Sequence, residues 1–595
     1  MPEHLRDLLE KQINGSYPGA IVSQVEDYNF FNEEGEVAYC SLKLRSSNYM
    51  PIKTYKDLAV DPMAVITSAL AKLGENEGVA IQMLISPADS KWKAQGRKYI
   101  ARTKKREADP EKAKFNVDAK SLELIENKTS KPGFKTSIRI VATATEKPSA
   151  KMILDNVRAT FEQFNGDLNG FSRDKIWVQN NFMMDFIYRY QPMFKDPPVL
   201  TADELATVFH FPNKSVETPH IYWLNAKRAP APAGLAEKGM YIGKSVYRGM
   251  ERPVYLGDKD RQQHIYIVGA TGVGKSLLMS QMILQDIRAG HGVCFIDPHE
   301  AYQTVLEQMP PERAEDVIYF DPSNAERPMG INIMEANSEQ QMHFVVTSII
   351  GLFYKLYDPH QTGIVGPRLE HNIRNAMLTL MGVPGATFIE VQRILTDPAY
   401  VQEILPTVTD PMIRRYWTDQ IAQTVEFHKS EVLDYIVSKF GRFTTNKLMR
   451  NIFGQSKSAF DFRKAMDEGK IVIINLAKGL IGEENSNFLG LILVPKILAA
   501  AMSRSDMPEE KRRDFYLYVD EFQNFATPDF ATILSEARKY RLNLCVANQF
   551  VGQMEEDIRN AVFGNVGTMI TFRTGVADAQ FMAHEYTPAF TEQDL

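Results

Sequence analysis

The sequence predicts an α/β protein whose main sheet is mostly parallel, because short apolar segments alternate with helical segments in its carboxy-terminal half. Buried parallel strands are near-continuous apolar runs, and the helices that connect them cover both faces of the sheet. Six segments after residue 239 fit this pattern: 264–268, 292–296, 317–320, 471–476, 515–519 and 542–547. Between residues 336 and 469 amphipathic helical patterns follow one another without a strand pattern, which predicts an inserted all-α domain.

The first 238 residues predict an α/β accessory domain. Two segments rich in β-branched side chains favour strands and two with helical periodicity favour helices: 79–85 and 134–145, then 61–73 and 150–164. The Lys-rich segment 103–133 is predicted to be a partly mobile insertion, and the APAPAG sequence at 229–234 a linker. The predicted domains are 1–238 (accessory), 239–335 with 470–595 (parallel sheet) and 336–469 (all-α).

The composition is typical of a folded protein, since 44% hydrophobic and 24% charged residues exclude a disordered chain. The three cysteines lie far apart without metal-ligand spacing, so we expect reduced, buried thiols. The longest apolar run, 488–502, is interrupted by Pro495 and Lys496 and is shorter than the roughly 18 residues of a membrane span, so it predicts a buried core helix. We expect a cytoplasmic protein, at most peripheral to the inner face of the cell membrane, without a signal peptide or transmembrane segment.

Basic residues are concentrated in the accessory region. The net charge is −6, but residues 91–151 contain 17 Lys/Arg and 7 Asp/Glu, a local charge of +10 that leaves −16 for the rest. Such a stretch favours a phosphate backbone or anionic lipid as partner, and a merely solvated surface is the alternative. Lys104, Lys105 and Arg106 are our candidate DNA contacts.

The motif with the clearest chemistry is a glycine-rich loop between a predicted strand and a predicted helix. It has the pattern GxxxxGKS and consists of Gly269, Ala270, Thr271, Gly272, Val273, Gly274, Lys275 and Ser276. Its glycines let the loop curl so that backbone N–H groups point at phosphates, and the following helix adds its amino-terminal dipole. We expect Lys275 to reach the β- and γ-phosphates of ATP and the Ser276 hydroxyl to bind Mg²⁺. The alternative, a fortuitous glycine-rich turn, is disfavoured by the flanking strand and helix.

An acidic pair at the end of the predicted strand 515–519 complements this loop. We expect Asp520 to hold Mg²⁺ through water and Glu521 to orient and deprotonate the attacking water, which predicts hydrolysis in addition to binding. The next predicted strand ends before Gln549, which is a candidate nucleotide sensor; an ordinary strand-end amide is the alternative. Together these motifs predict a RecA-like P-loop ATPase core.

The order of the motifs resembles the HerA/FtsK superfamily, and within it the coupling proteins of type IV secretion and their DUF87-like relatives. The similar segments, which fall within 239–595, include DRQQHIYIVGATGVGKS, GPRLEHNIRNAMLTL, VDEFQNFATPDFATILSEARKYRLNLCVANQF and NVGTMITFRTGVADAQF. This resemblance implies a hexamer with ATP between subunits, DNA in a central channel, and conjugation or type IV secretion components as partners.

The resemblance also implies roles for further residues. Arg538, predicted to lie on a helix 529–540, matches the arginine that such proteins present to the ATP of a neighbouring subunit, and Arg573 is a second candidate. Asp297 belongs to a DPH element and is expected beside the site. Relatives continue this element with Gly where this chain has Glu300, which puts His299 and Glu300 in doubt.

Two departures from the family pattern stand out. Coupling proteins usually carry amino-terminal transmembrane helices, which this sequence lacks, so we expect anchorage through partners or action in the cytosol. Relatives also continue beyond the position that matches Leu595, so we expect the native chain to be longer.

Three functions compete at this stage. The first is a DNA translocase or coupling motor, favoured by the local positive charge. The second is a secretion ATPase of the same superfamily that acts on proteins without DNA. The third is a nucleotide-dependent scaffold that binds ATP and hydrolyses it poorly. Glu521 disfavours this function, because such a protein does not need a general base. ABC-type and SMC-type ATPases are disfavoured because no LSGGQ-like signature lies between the two nucleotide motifs.

Overall fold

The structure is a computed structural model that describes residues 3–17, 20–22, 25, 29–31, 35–74, 76–107, 119–192, 196–212, 229–232, 234–247, 250–336, 338–358, 362–421, 437–441, 444–527 and 534–595. Internal packing divides the chain into an accessory unit, Ser23–Leu224, and a main unit, Met1–Val22 with Asn225–Leu595. The first helix, α1 (Arg6–Ser16), is counted with the main unit.

The accessory unit is built on an antiparallel sheet. Its strands are β1 (Glu36–Leu44), β2 (Gly78–Pro87), β3 (Gly133–Ala144), β4 (Phe171–Arg173) and β5 (Val199–Thr201). They lie in the order β2-β3-β1-β4, with β5 paired to β3. Ile138 and Ile140 on the central strand are fully buried, as the β-branched pattern of β3 predicts.

Six helices accompany this sheet: α2 (Pro62–Leu70), α3 (Lys91–Glu107), α4 (Ala119–Ser130), α5 (Lys147–Thr160), α6 (Gln179–Ile187) and α7 (Ala202–Val208). α5 packs on β1 and β3 through a buried stripe that includes Ile153, Leu154 and Val157. The two predicted strands correspond to β2 and β3, and the two predicted helices to α2 and α5. Within the predicted insertion 103–133, residues 108–118 lie outside the described residues.

The main unit contains the parallel sheet that the sequence predicts. Its strands are β8 (Ile265–Val268), β9 (Gly292–Asp297), β10 (Val317–Phe320), β11 (Ile471–Asn475), β12 (Phe515–Val519), β13 (Leu542–Asn548) and β14 (Thr568–Thr571), after a separate hairpin of β6 (Met240–Tyr247) and β7 (Met250–Leu256). The seven strands lie in the order β10-β11-β9-β12-β13-β8-β14, and every pair is parallel. The predicted fold class is therefore confirmed, and all carboxyl ends of these strands lie at one edge.

Helices cover both faces of this sheet. They are α8 (Asp258–Arg261), α9 (Lys275–Arg288), α10 (Ala301–Glu307), α11 (Glu339–Tyr357), α12 (Pro367–Met381), α13 (Phe388–Thr396), α14 (Pro398–Ile404), α15 (Pro411–Arg415), α16 (Lys447–Phe453), α17 (Phe462–Glu468), α18 (Lys478–Ile481), α19 (Glu483–Met502), α20 (Glu556–Asn565) and α21 (Val576–Tyr586). Among the described residues between β10 and β11 there are helices and no strand. Those helices share one hydrophobic cluster with the sheet, so the boundaries 336 and 469 stay a prediction.

One buried ion pair fixes α9 against the sheet. Asp286 on α9 accepts hydrogen bonds from the Arg261 guanidinium and from the Tyr518 hydroxyl of β12, each at 2.6 Å. The Arg261 and Asp286 side chains are 3% and 1% exposed, so water cannot solvate either charge if its partner is removed. The pair thus ties the helix that follows the glycine-rich loop to the strand that precedes Asp520.

Within the described residues, α19 and the turn after it form the one helical segment long and apolar enough to cross a membrane. The segment Glu483–Asp506 is 72% buried over its most apolar window, as in the core helix of a globular domain. Pro495 lies inside α19 without ending it.

Two features of the main unit were not predicted. In the hairpin, β6 is mostly half-buried or exposed, β7 has four exposed residues followed by three half-buried ones, and neither strand has a long apolar run. β14 has four half-buried residues, too few for the pattern that identified the other six parallel strands.

Candidate nucleotide site

The predicted glycine-rich loop connects β8 to α9 at the carboxyl edge of the sheet. Gly272 and Gly274 have φ angles of +78° and +105°, a left-handed backbone that a side chain would strain. A Cβ at Gly269 would stand 2.5 Å from Cβ of Phe572, so this glycine is required by packing. The loop is exposed at Thr271 and Gly272, which leaves its concave side accessible to a ligand.

Lys275 is the first residue of α9 and is 7% exposed. Its Nζ donates to the carbonyl oxygens of Gly269 at 2.7 Å and Ala270 at 3.1 Å, so the ammonium group is held inside the curl of the loop. This is where a cation can reach the β- and γ-phosphates of a nucleotide whose phosphates follow the loop.

Ser276 and Asp520 meet in the structure although 244 positions separate them. The Ser276 hydroxyl donates to Oδ2 of Asp520 at 2.9 Å, and burial raises the pKa of Asp520 while this hydrogen bond lowers it. The described residues contain no group of three or more His, Cys, Asp or Glu side chains that could hold a metal ion on their own. Ser276 and Asp520 would therefore hold Mg²⁺ only together with ligands supplied by nucleotide phosphates and water.

Glu521 follows Asp520 and is 6% exposed. Its backbone has a φ of +50°, a left-handed conformation that costs a non-glycine residue about 1–3 kcal/mol. Gln549 donates to its Oε1 at 2.8 Å and Gln523 to its Oε2 at 2.6 Å. Burial acts to raise the pKa of Glu521, but His299, Gln549 and Gln523 outweigh burial and lower the pKa to about 2. The carboxylate is therefore ionised at neutral pH and can accept a hydrogen bond from water, but a pKa this far below 7 makes it a weak proton acceptor while these contacts persist.

Gln549 joins the acidic pair to the glycine-rich loop. Its Oε1 accepts a hydrogen bond from the Thr271 hydroxyl at 3.1 Å while its amide nitrogen contacts Glu521. β13, which ends directly before Gln549, lies between β12 and β8, so the sheet order alone brings Gln549 between the two motifs. This position suits the predicted sensor role, which stays a prediction.

His299 was doubted from the sequence, but the structure places it in the site. Its Nε2 lies 3.6 Å from Oε1 of Glu521, and this carboxylate raises the pKa of His299. Asp297 accepts from the backbone N–H groups of His299 at 2.8 Å and Tyr302 at 2.7 Å, so it shapes the turn that carries the imidazole. Burial raises the pKa of Asp297 to about 6.

Gln523 was missed altogether. The only signal for it was an amide within the mostly apolar sequence that follows the acidic pair. Its Oε1 is buried and has no hydrogen-bond partner in the described part of the chain, while its Nε2 holds Glu521.

The two candidate arginines lie at opposite edges of the sheet. The carbonyl oxygen of Arg573 accepts from the N–H of Ala270 at 2.9 Å, so this exposed residue stands directly beside the glycine-rich loop. Arg538 precedes the amino end of β13, while Gln549 follows its carboxyl end, and seven strand residues separate the two by roughly 20 Å. Arg538 therefore cannot reach the loop of its own subunit.

The alternative role for Arg538 is that of an ordinary surface residue paired with Glu536 or another carboxylate. Glu536 pairs with Lys539 at 3.7 Å, and the Arg538 side chain is exposed without a carboxylate partner among the described residues. The predicted helix 529–540 is described only from residue 534, and it ends in a 3₁₀ turn, Ala537–Tyr540.

The candidate DNA contacts occupy the last turn of α3. Lys104, Lys105 and Arg106 are all exposed, and Lys104 makes a solvent-exposed pair with Glu126 at 3.9 Å. An exposed pair of this kind is worth at most about 1 kcal/mol, so it does not prevent contact with phosphates.

Comparison with protein families assigns three segments of the chain. Residues 2–224 match a domain of unknown function, DUF8128. Residues 240–494 match the central domain of helicase HerA, DUF87, and residues 514–585 match the TraM recognition site of TraD and TraG. No curated protein matches the sequence.

Solved structures similar to the chain include two of a plasmid coupling protein, TrwB. The complex of TrwB with the ATP analogue ADPNP shares 16% identity over 62% of this chain and 84% of that one, with a TM-score of 0.43. The complex with ADP and Mg²⁺ shares 16% identity over 59% and 79%, with a TM-score of 0.40. VirB4 of Thermoanaerobacter pseudethanolicus shares 14% identity over 60% and 89%, with a TM-score of 0.40. The family assignment rests on the two family matches and on the order of the motifs. The chain thus carries a P-loop ATPase domain of the HerA/FtsK superfamily.

Proposed function

We propose that the protein is a hexameric, ATP-hydrolysing DNA motor that resembles the coupling proteins of conjugative type IV secretion. The observation that carries this proposal is the convergence of Ser276, Asp520, Glu521 and Gln549 at one edge of the parallel sheet. A site that only bound nucleotide would need the loop and Asp520, whereas this one also has the ionised carboxylate of Glu521, which Gln549 links to the loop.

The residues divide the work of hydrolysis as follows. Lys275 and the loop N–H groups would bind the phosphates, and Ser276 with Asp520 would hold Mg²⁺, which would neutralise charge on the phosphates. Glu521 orients the attacking water and takes its proton. Gln549 contacts both Glu521 and Thr271, so it can transmit the state of the loop to the base.

DNA as substrate and the partners of the protein are supported by the family matches and by charge. One family match is to the central domain of the helicase HerA, and the other is to the TraM recognition site of TraD and TraG. We propose DNA, and components of a conjugation or type IV secretion machine, as partners of this chain. We also propose a cytoplasmic location, peripheral to the inner face of the cell membrane.

Assembly into a ring is supported by the position of Arg538. It is exposed, roughly 20 Å from the loop of its own subunit, and without a carboxylate partner among the described residues. A guanidinium supplied by a neighbour can stabilise charge on the γ-phosphoryl group, an effect worth about 10³ or more in rate.

Mixed rings test this role of Arg538. Lys275→Ala and Arg538→Ala subunits are each expected to be inactive, and mixing them rebuilds an interface with an intact pocket and an intact arginine. We expect mixed rings to recover part of the ATPase rate. If rings shown to contain both subunits stay inactive, or Arg538→Ala alone is fully active, the proposed role in trans is wrong.

The substrate is tested by measuring the ATPase rate of the full chain with and without single- and double-stranded DNA. Stimulation by DNA supports the motor. A rate that DNA leaves unchanged favours a secretion ATPase acting on proteins, and no measurable hydrolysis favours a nucleotide-dependent scaffold.

A further inference from the structure

The accessory unit contains a hollow that the nucleotide site does not explain. It lies between β1, the first turns of α5 and the segment after β4, and has a volume of about 880 Å³. Ligand sites in proteins commonly have volumes of about 300–1,000 Å³, so the hollow is large enough for a ligand. We call it the Trp177 hollow, after the residue at its rim.

The charge of the Trp177 hollow is positive. Four exposed cationic side chains and one carboxylate line it: Lys147, Lys151, Arg173, Lys175 and Asp174. Asp174 lies 4.0 Å from Lys43, a cation outside the hollow that partly neutralises the Asp174 carboxylate. Lys147 is 74% exposed although it lies 3.9 Å from Glu36. The hollow therefore carries an excess of cations that solvent reaches.

The same hollow carries an exposed aromatic ring. Trp177 is 84% exposed, whereas Trp92 and Trp417 are 4% and 5% exposed. An exposed indole offers a large planar apolar surface on which a flat partner can stack. Trp177 also lines a second hollow of about 410 Å³ together with Val178 and Phe182. The indole is thus a ridge between two hollows, accessible to a planar partner.

We propose that the Trp177 hollow binds single-stranded nucleic acid, with an unpaired base stacked on Trp177 and backbone phosphates on Lys147, Lys151 and Arg173. Cations along a groove combined with an exposed aromatic ring are the features by which proteins hold single strands without reading sequence. A duplex keeps its bases stacked inside, so it offers phosphates but no base to Trp177. A purely apolar peptide is disfavoured because it would not match the cations.

This proposal goes beyond the motor function and does not require it. The hollow lies entirely in the accessory unit, and none of its lining residues takes part in the nucleotide site. It also differs from the predicted DNA contacts on α3, which are cations without an exposed aromatic ring. Oligonucleotide binding without ATP can therefore be positive even if ATP hydrolysis proves insensitive to DNA.

The test measures binding of the full chain to three fluorescein-labelled probes by anisotropy. They are oligothymidylate of about 12 nucleotides, an abasic strand with the same phosphates, and a duplex of the same length. We expect oligothymidylate to bind more tightly than both other probes. Equal affinity for the abasic strand would overturn the stacking contact.

Two variants locate the contact. Trp177→Ala should weaken oligothymidylate binding about 5- to 150-fold, the equivalent of the roughly 1–3 kcal/mol of one base–aromatic stack. It should leave the duplex affinity unchanged, and Trp177→Phe should restore most of the loss. Because Trp177 is exposed, the melting temperature should stay that of the parent. Unchanged binding by Trp177→Ala, or an equal loss for the duplex, would overturn the proposal.

The cations are tested through salt dependence. Removing one cation that touches a phosphate reduces the slope of log K against log salt by about 0.7 for single strands. Lys147→Ala with Lys151→Ala should thus reduce the slope by roughly 1.4. The matched control is Lys56→Ala with Lys72→Ala, which removes the same charge from exposed positions outside the hollow. Equal effects of the two pairs would overturn the proposed site.

Discussion

Replacing Glu521 by Gln isolates the general base because the pocket can accommodate the amide. The carboxylate accepts from Gln549 at 2.8 Å and from Gln523 at 2.6 Å. In Glu521→Gln, the oxygen of the new amide can keep the hydrogen bond from Gln549, while its NH₂ group would face the NH₂ group of Gln523. Rotation of the Gln523 amide removes this conflict, because it presents the buried Oε1 that has no partner among the described residues.

The size of the effect follows from what the variant keeps and loses. Ser276 still meets Asp520, and Lys275 still lies in the loop, so ATP and Mg²⁺ binding should persist. The variant loses the group that takes a proton from water, a contribution of about 10²–10⁴ in rate. This corresponds to about 2.7–5.5 kcal/mol in the activation free energy.

The assay compares phosphate release under saturating ATP with equilibrium binding of a fluorescent nucleotide. We expect hydrolysis to fall by two to four orders of magnitude, in line with the range above, while the dissociation constant changes little. Hydrolysis at the parental rate would refute the assignment of Glu521 as base. A loss of nucleotide binding would show instead that the carboxylate maintains the shape of the pocket.

The remaining predictions concern binding and stability. Lys275→Ala should abolish nucleotide binding, because it removes the cation held in the loop; binding at parental affinity in a fluorescence titration would contradict this. Replacing Lys104, Lys105 and Arg106 by Ala should weaken the binding of single strands and duplexes to a similar degree for all sequences, and should lower the slope of log K against log salt. An unchanged affinity and slope would mean that this part of α3 is only a solvated surface. Asp286→Ala leaves a buried guanidinium without its partner and should cost about 3–5 kcal/mol in unfolding free energy, measured by urea denaturation; a loss below about 1 kcal/mol, the range of an exposed pair, would show that water reaches the pair.

The sequence predicted those parts of the fold that rest on local pattern. Strands such as β8 and β12 are buried on both faces and consist only of apolar and aromatic residues, so their pattern is unambiguous. The glycine-rich loop could be recognised because its glycines and Lys275 are the residue types required to bind the phosphates of one nucleotide. β14 escaped prediction because it is short and half-buried, so its sequence resembles that of a loop.

Contacts between distant elements could not be predicted in this way. His299 meets Glu521 only because β9 lies beside β12, and no spacing in the sequence encodes that neighbourhood. Gln523 acquires its contact from the left-handed backbone at Glu521, which propensity does not reveal.

The central claim is that ATP hydrolysis moves the protein along DNA, and displacement of a triplex-forming strand from duplex DNA measures this directly. With ATP, the parental protein should release the third strand at a rate that follows its hydrolysis rate, and Glu521→Gln should release it hundreds of times more slowly, within the range expected for loss of the base. Release at the same rate without ATP, or no release by protein that hydrolyses ATP when DNA is added, would contradict the account.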